Sequence, residues 1–336
     1  MNDSSSSLEN SHFPVMLNEI VKICSPERGG VFIDCTFGAG GYSKKLLTFS
    51  KTKVIALDRD KIILKISKNL KLRYPDRFFF HHKKFSDLSQ VTAIESADAI
   101  IFDLGLSSIQ LKDLKRGFSF NSKDRLDMSM GLTNNSAEKA LNTLSELNLK
   151  HIIKFLGEEK DASKIAKNIV CYRANKKITK VSQLVEIIEK SKKKDYKKKL
   201  NPSTKTFQAL RIFVNKEITE LVNGIINATK IIKPGGKILI VSFHSIEDKI
   251  VKYFFNNFSS NQPKYSRYFP DTISNHTLFN NYKNKVLIPT KHEIIKNPPS
   301  RSAKLRFAIR NKNNFIYPEG LIFKFKKYLD LEKLYV

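Results

Sequence analysis

Residues 31–43 read VFIDCTFGAGGYS, an apolar run that ends in a glycine turn, and the spelling of that turn decides the fold. A dinucleotide-binding fold carries G-x-G-x-x-G between its first strand and first helix. Here the glycines are Gly38, Gly40 and Gly41, and the position three after Gly40 is Ser43, so the nicotinamide-dinucleotide fingerprint fails. Asp34, Thr36, Gly38 and Gly40 stand at alternate positions instead, a D-x-T-x-G-x-G pattern. Glycines there let backbone approach a ligand closely, and a carboxylate beside them suits a ligand with an ammonium group better than a pyrophosphate.

Outward from this turn, short apolar runs alternate with helix-length segments. GVFIDCTF (30–37), TKVIALD (52–58), RFFFHH (77–82) and ADAIIFDLG (97–105) read as strands, with DKIILKISKNLKLRY (60–74) as a helix between them. Unbroken runs of Ile, Val and Phe fit strands buried on both faces, as in parallel β-α units with right-handed crossovers. This is the first half of a doubly wound sheet. After Gly105 no convincing core strand follows for roughly a hundred residues, while 136–157 and 161–175 carry apolar positions at helical spacing. An inserted helical domain is the economical reading. The segment 206–232 reads as one long amphipathic helix returning to the sheet. KPGGKILIVSFHS (233–245) and SAKLRFAIR (302–310) read as a turn with a buried strand and as a final strand, 256–297 as a long surface loop, and 317–336 as a docked packing helix.

The chain has 336 residues, 41% of them hydrophobic, enough for a folded protein with a substantial core. No apolar run approaches the roughly 20 residues that span a bilayer, and MNDSSSSLEN lacks the features of a signal peptide. A cytoplasmic protein without membrane contact is expected. Cys24, Cys35 and Cys171 form no C-x-x-C pair, so they read as buried small apolar residues, and no structural metal is expected. The net charge of +28 favours a polyanionic partner. Of the 60 basic residues, 12 are Arg and 48 Lys, a bias that an AT-rich genome also produces. The Lys-rich KKKDYKKK (192–199) is correspondingly either a solvated segment or a contact for RNA phosphates.

Two further acids sit at strand ends. Asp58 closes the second strand 24 residues after Asp34, where doubly wound folds keep the acid that binds a ribose diol. Asp103 closes the fourth, beside the crevice in which this architecture binds ligands. An acid at each strand end favours S-adenosylmethionine, whose sulfonium, amino acid and ribose lie across such a crevice; a helix-capping Asp with tight-turn glycines is the alternative. If the acceptor is an exocyclic amine of a base, Asp103 is placed to localise its lone pair and receive a proton.

The motifs HFPVMLNEI, DCTFGAGGYS, ALDRD, DLGLSSIQL, RGFSF, LDMSM, NPSTKTFQALRIFVNKE, GGKILIVSFHSIEDKIVK and NPPSRSAKLR occur in one order from His12 to Arg310. In that order the chain resembles the RsmH (MraW) family of bacterial 16S rRNA cytosine-N4 methyltransferases. The resemblance implies a class I (Rossmann-like) methyltransferase sheet interrupted by an inserted helical domain, with S-adenosylmethionine as cofactor. It implies cofactor contacts at Gly40, Gly41, Tyr42, Asp58, Phe85, Asp103 and Gln110. The implied substrate is a cytidine of the decoding region in the small ribosomal subunit, which makes the +28 charge useful. Many members have His where this chain has Tyr42, an exchange that a main-chain contact tolerates. GPLDMRM becomes DRLDMSM, so Ser129 replaces an Arg and Arg125 a Pro, while Lys205 replaces an Arg that binds phosphate bidentately.

His244, at the end of a late strand, is a candidate to line the base pocket with Phe243 and Ser245, and Phe243 to stack on a flipped cytosine. Ser245 with Glu247 and Asp248 also looks like a helix N-terminus. Asp127, in a loop read as lying over the pocket, either helps hold the base or is a turn carboxylate. The expected organisation is a disordered N-terminus (1–11), a methyltransferase domain in two halves (12–108 and 207–310), an inserted substrate-recognition domain (109–206) and a C-terminal extension (311–336). A homodimer stays open. An N4-cytosine DNA methyltransferase is disfavoured because DLGLSS lacks that class's Asp/Ser/Asn-Pro-Pro-aromatic tetrapeptide. A ribosome-assembly factor without catalysis is disfavoured by the intact glycine turn and Asp103.

Overall fold

The computed structural model describes residues 14–192, 201–260 and 277–334. Most of KKKDYKKK, the expected disordered N-terminus and the middle of the segment read as a loop lie outside these residues. The chain divides into two compact units. One runs up to Gly105 and resumes over Glu220–Phe323; the other comprises Leu106–Thr219 and the residues from Lys324 onward.

The first unit is built on a six-stranded sheet. Its strands are β1 (Gly30–Asp34), β2 (Thr52–Leu57), β3 (Phe78–His81), β4 (Ala97–Asp103), β5 (Ile232–Ser242) and β6 (Lys304–Ile309), in the order β3-β2-β1-β4-β5-β6. Strands β1 to β5 run parallel, and β6 pairs antiparallel with β5. Phe32, Ile33, Val54, Ala56, Ile100, Ile101, Phe102, Leu239 and Ile240 are fully buried. This is why the central strands read as unbroken apolar runs instead of alternating. Each large side chain so buried contributes about 1.5–3 kcal/mol. The strand order reverses between β1 and β4, which puts the ligand crevice of this topology at the carboxyl ends of those two strands.

Helix α1 (Leu17–Cys24) precedes the sheet, α2 (Gly41–Leu47) follows the glycine turn, and α3 (Leu64–Arg73) joins β2 to β3. The segment 256–297 departs from its reading as a loop. Leu278 and Phe279 are fully buried, with Phe279 edge-on to Phe254 and Phe255, and Lys291–Lys296 forms a helix.

The second unit contains helices and no strand among its described residues. They include α4 (Ser108–Lys112), α5 (Ala137–Thr143), α6 (Glu146–Leu156), α7 (Ala162–Asn175), α8 (Val181–Ser191) and α9 (Thr204–Asn215). The helix α9 belongs with this unit, whereas the sequence boundary at 206/207 assigns it to the sheet. The single long helix expected over 206–232 is two helices. Lys216 adopts φ 51°, ψ 43°, a left-handed conformation that ends α9, and α10 (Glu217–Ile231) starts immediately after it. Around this break Arg211 forms a two-pronged ion pair with Glu217, both contacts 2.9 Å. At the C-terminus, α13 (Glu319–Glu332), which follows α11 (Ser245–Asn257) and α12 (Lys291–Lys296), brings Glu332 to the start of α10. The Glu332 carboxyl accepts from Ile218 N at 2.9 Å and Thr219 N at 2.7 Å, satisfying donors that a helix start leaves unpaired. The last helix is thus a docked packing element, as its pattern suggests.

Among the described residues no helix is long and apolar enough to cross a membrane. Cys24 and Cys35 are buried as expected; Cys171, on the outer side of α7, is exposed, contrary to the expectation.

Candidate active site

The glycine turn between β1 and α2 is tight because its backbone demands it. Gly40 sits at φ +77°, and a Cβ there would lie 2.9 Å from the Phe37 ring. The alternate residues before it divide the work of holding the crevice. Asp34 is sealed from solvent and accepts from Ser43 Oγ at 2.7 Å and from Thr36 N at 3.3 Å, tying α2 to β1. Burial pushes its carboxyl up to about 6. Both Asp34 oxygens are thus engaged within the turn itself. Thr36 Oγ1 accepts from Asp103 N at 2.7 Å and so fixes the end of β4. Asp58 also serves the turn: its two oxygens accept from Gly38 N at 2.8 Å and Asp60 N at 2.9 Å. Burial raises its pKa while these two bonds lower it.

Asp103 lies at the carboxyl edge of β4, paired in register with Val241 of β5. Its Oδ2 is 3.1 Å from the Tyr42 hydroxyl. Its Oδ1 is buried and has no hydrogen-bond partner among the described residues. Burial pushes the Asp103 carboxyl up to about 8, against a hydrogen bond from Tyr42, and the nearby Asp34, Glu247 and Glu293 push it up further. After Asp103 the chain turns through Gly105, at φ +97°, where a Cβ would lie 3.5 Å from the Phe243 ring. Glycine satisfies both the left-handed backbone and the close ring.

At the adjacent end of β5, His244 is the N-cap of α11. Its Nδ1 accepts from Glu247 N at 3.4 Å, while Glu247 Oε2 accepts from Phe243 N at 2.9 Å and His244 N at 3.2 Å. The acceptor role of Nδ1 puts the ring proton of neutral His244 on Nε2. That nitrogen lies 3.1 Å from Glu247 Oε1 but outside hydrogen-bond geometry, and is buried without a hydrogen-bond partner among the described residues. The helix start foreseen at Ser245 is therefore real and capped one residue earlier, by His244 itself. The ends of β4 and β5 thus present two buried polar atoms with unused hydrogen-bonding capacity, an acceptor on Asp103 and a donor on His244, together with the Phe243 ring.

Phe85 opens a short 3-10 helix after β3, its ring 5.4 Å from Phe102 and at right angles to it. Gly224 makes room for it: a Cβ there would stand 2.5 Å from the Phe85 ring. Sequence reasoning passed over Gly224, although a lone glycine inside an amphipathic helix is a signal of close packing. It also gave no role to the segment before α1. Pro14 lies against Gly41, Val15 O meets the Tyr42 hydroxyl at 2.6 Å, and Met16 N donates to Glu293 Oε1 at 2.7 Å.

Gln110 and Asp127 belong to the helical unit. Gln110 forms the capping box of α4: its Oε1 accepts from Ser107 N at 3.0 Å and its own N donates to Ser107 Oγ at 3.3 Å. The loop carrying Asp127 is knitted to RGFSF by Met128 N donating to Arg116 O at 2.8 Å and Arg116 Nη2 donating to Ser129 O at 2.5 Å. Asn215 grips the same loop, donating to Met128 O and accepting from Met130 N, both at 2.8 Å. Burial raises the Asp127 pKa, against the pull of Arg116 and Arg125. Arg125 is exposed beside Glu138 at 3.3 Å, and Lys205 donates to Glu158 O at 2.8 Å. In NPPSRSAKLR the burden is structural: the Arg306 guanidinium pairs with Asp248 at 2.7 Å and donates to the Tyr282 hydroxyl at 3.1 Å.

Known proteins resemble this chain over nearly its whole length. Ribosomal RNA small subunit methyltransferase H of Ehrlichia canis (strain Jake) is 41% identical over 303 residues, covering 89% of this chain and 99% of that protein. The protein of the same name from Rickettsia akari (strain Hartford) is 42% identical over 301 residues, covering 89% and 98%. A crystal structure of an rRNA methylase from Streptococcus thermophilus aligns over 87% of this chain and 96% of that one, at 10% identity and a TM-score of 0.39. The model of the MraW methylase family matches residues 9–311. The family model and the Ehrlichia and Rickettsia relatives lead to one conclusion: the chain belongs to the MraW methylase family.

Proposed function

We propose that the protein transfers a methyl group from S-adenosylmethionine to the N4 amine of a cytidine in the decoding region of 16S rRNA. The observation that carries this reading is the buried, unpartnered Asp103 Oδ1 at the end of β4, an acceptor with no partner among the described residues of the protein itself. A buried polar atom without a partner costs roughly 1–3 kcal/mol, and an amine N–H of the substrate removes that penalty. The names of the Ehrlichia and Rickettsia relatives support an rRNA substrate in the small subunit.

The family resemblance implies that the cofactor is held by Gly40 and Gly41, whose backbone can approach a ligand closely, by Tyr42, by Asp58 just after β2, by Phe85 and Asp103, and by Gln110 of the helical unit. When bound, the cofactor supplies an electrophilic methyl group. Asp103 holds the amine by one N–H, which turns the nitrogen lone pair out of conjugation with the ring and toward the methyl. His244 Nε2 is a donor for the acceptor atoms of cytosine, and Phe243 stacks on the base once it leaves the helix. The helical unit, with Asp127 in its loop, recognises the substrate, and the net charge of +28 supplies the attraction to phosphates.

Labelled S-adenosylmethionine offered with unmethylated small subunits, and in parallel with naked rRNA, tests the reading. Label on the subunits is expected, and Asp103→Ala should lower turnover at saturating cofactor by about 10²-fold through lost orientation of the amine. Cofactor binding with no transfer to either substrate would return the protein to the role of an assembly factor. Lost cofactor affinity with full turnover at saturation would remove Asp103 from the chemistry.

A further inference from the structure

The Tyr42 hydroxyl carries one proton and faces two oxygens, Val15 O at 2.6 Å and Asp103 Oδ2 at 3.1 Å. Two oxygens 2.6 Å apart repel unless a proton lies between them, and a main-chain carbonyl has none to give. The Tyr42 proton therefore belongs to Val15 O. The contact with Asp103 then has the Tyr42 oxygen as acceptor, and the donor is a protonated carboxyl.

We infer that Tyr42 is a positioning residue that holds Asp103 as the neutral acid, with the proton on Oδ2 donated to the Tyr42 oxygen and Oδ1 left as a bare acceptor. The chain Asp103 Oδ2–H to Tyr42 O–H to Val15 O runs in one direction and satisfies each group once. Its far end is fixed, because Met16, next to Val15, is tied to Glu293 by its N–H at 2.7 Å. Its near end is fixed by Thr36, which accepts from Asp103 N.

The surroundings agree. Tyr42 is 3% exposed. The titratable groups that face Asp103 are Asp34 on β1, Tyr42 on α2, Glu247 on α11 and Glu293 on α12; the three carboxyl groups oppose a negative charge on it, and only a hydrogen bond donated by Tyr42, whose proton Val15 O takes, would favour one. An ionised Asp103 would leave a buried, charged Oδ1 without a partner, which is far costlier than a neutral carbonyl oxygen in the same place. Burial likewise holds the Tyr42 phenol well above its ordinary range, so it stays protonated.

The inference rests on the proposed function for its consequence: Asp103 orients the substrate amine through Oδ1 and does not abstract a proton from it at neutral pH; the sulfonium sulfur keeps the electron pair of the broken S–CH3 bond, and the proton shed by the methylated nitrogen passes to water.

Titration of the full-length protein with ¹³C-labelled aspartate, with Asp103 assigned by its loss in Asp103→Asn, reads the proton directly. In Tyr42→Phe the acceptor for the Asp103 proton is gone, so the carboxyl should ionise more readily, with its proton affinity about tenfold lower than in the wild type. If Tyr42 donated to Asp103 instead, Tyr42→Phe would raise the proton affinity, and that result, or an unchanged titration, overturns the inference. An infrared difference between wild type and Asp103→Asn at pH 6.5 gives a second reading that does not need the Tyr42 variant. A protonated-carboxyl band is expected, and a carboxylate band in its place refutes the inference. A failed methyl-transfer assay with the titration result intact would remove the functional reading and leave the placement of the proton standing.

Discussion

Replacing Asp103 by Asn should make the protein's stability less sensitive to pH, by an amount set by where Asp103 sits. Its carboxyl is pushed from the ordinary 3.8 up to about 8 by burial and by three neighbouring acids. Between those values the folded protein holds a proton on Asp103 that the unfolded chain has released, so folding binds a proton and stability falls as pH rises. The contribution is complete below pH 4 and lost as pH climbs through 8. Within the window the slope is about 1.4 kcal/mol per pH unit, and from pH 4.5 to 7.5 it accumulates to at most about 4 kcal/mol. Asn mimics the neutral acid and does not titrate. Asp34 and Glu332, also raised by burial, to about 6 and about 8, are common to both proteins and cancel in the difference. Urea unfolding of wild type and Asp103→Asn across this range should give curves that converge near pH 4 and diverge in favour of the variant above it. Parallel curves would mean that Asp103 is ionised in the folded protein throughout, and would refute the reasoning.

Gly40→Ala forces a side chain into a φ of +77° and against the Phe37 ring; S-adenosylmethionine affinity measured by calorimetry should drop by at least tenfold, while Gly235→Ala, where a Cβ meets nothing within 4 Å, should leave it unchanged. Glu332→Ala leaves Ile218 N and Thr219 N without the acceptor that caps α10, and should lower stability in urea by about 1–3 kcal/mol. Gly224→Ala overpacks Phe85, with an expected loss of about 1–3 kcal/mol in the same assay. Binding of the protein to small subunits should weaken steeply between 50 and 200 mM salt, by at least tenfold, if phosphates are the partner of its positive charge.

Much of the sheet was legible because buried parallel strands leave unbroken apolar runs, and the turn was legible because close backbone approach demands glycine. Asp103 and Asp58 could be picked out because topology puts strand ends at the crevice. What those acids bond to could not. Asp34, Asp58 and Thr36 look alike as ligand groups in the sequence, yet all three hold the turn and the end of β4 by contacts to backbone or Ser43. The break at Lys216 was hidden because the apolar period continues across a residue in a left-handed conformation, which nothing in FVNKEIT announces. The buried Leu278 and Phe279 were missed because irregular backbone carries no period. His244 shows how far spacing goes: sequence places it at the end of a late strand, and it is found capping a helix; Gln110, singled out only by the resemblance, is found in a capping box as well.

The most direct test is nucleoside analysis of rRNA after one round of transfer from labelled S-adenosylmethionine to unmethylated small subunits. The account predicts the label in N4-methylcytidine. Label on a ring carbon or a ribose oxygen would contradict it, because neither acceptor has an amine N–H for Asp103 Oδ1 to hold.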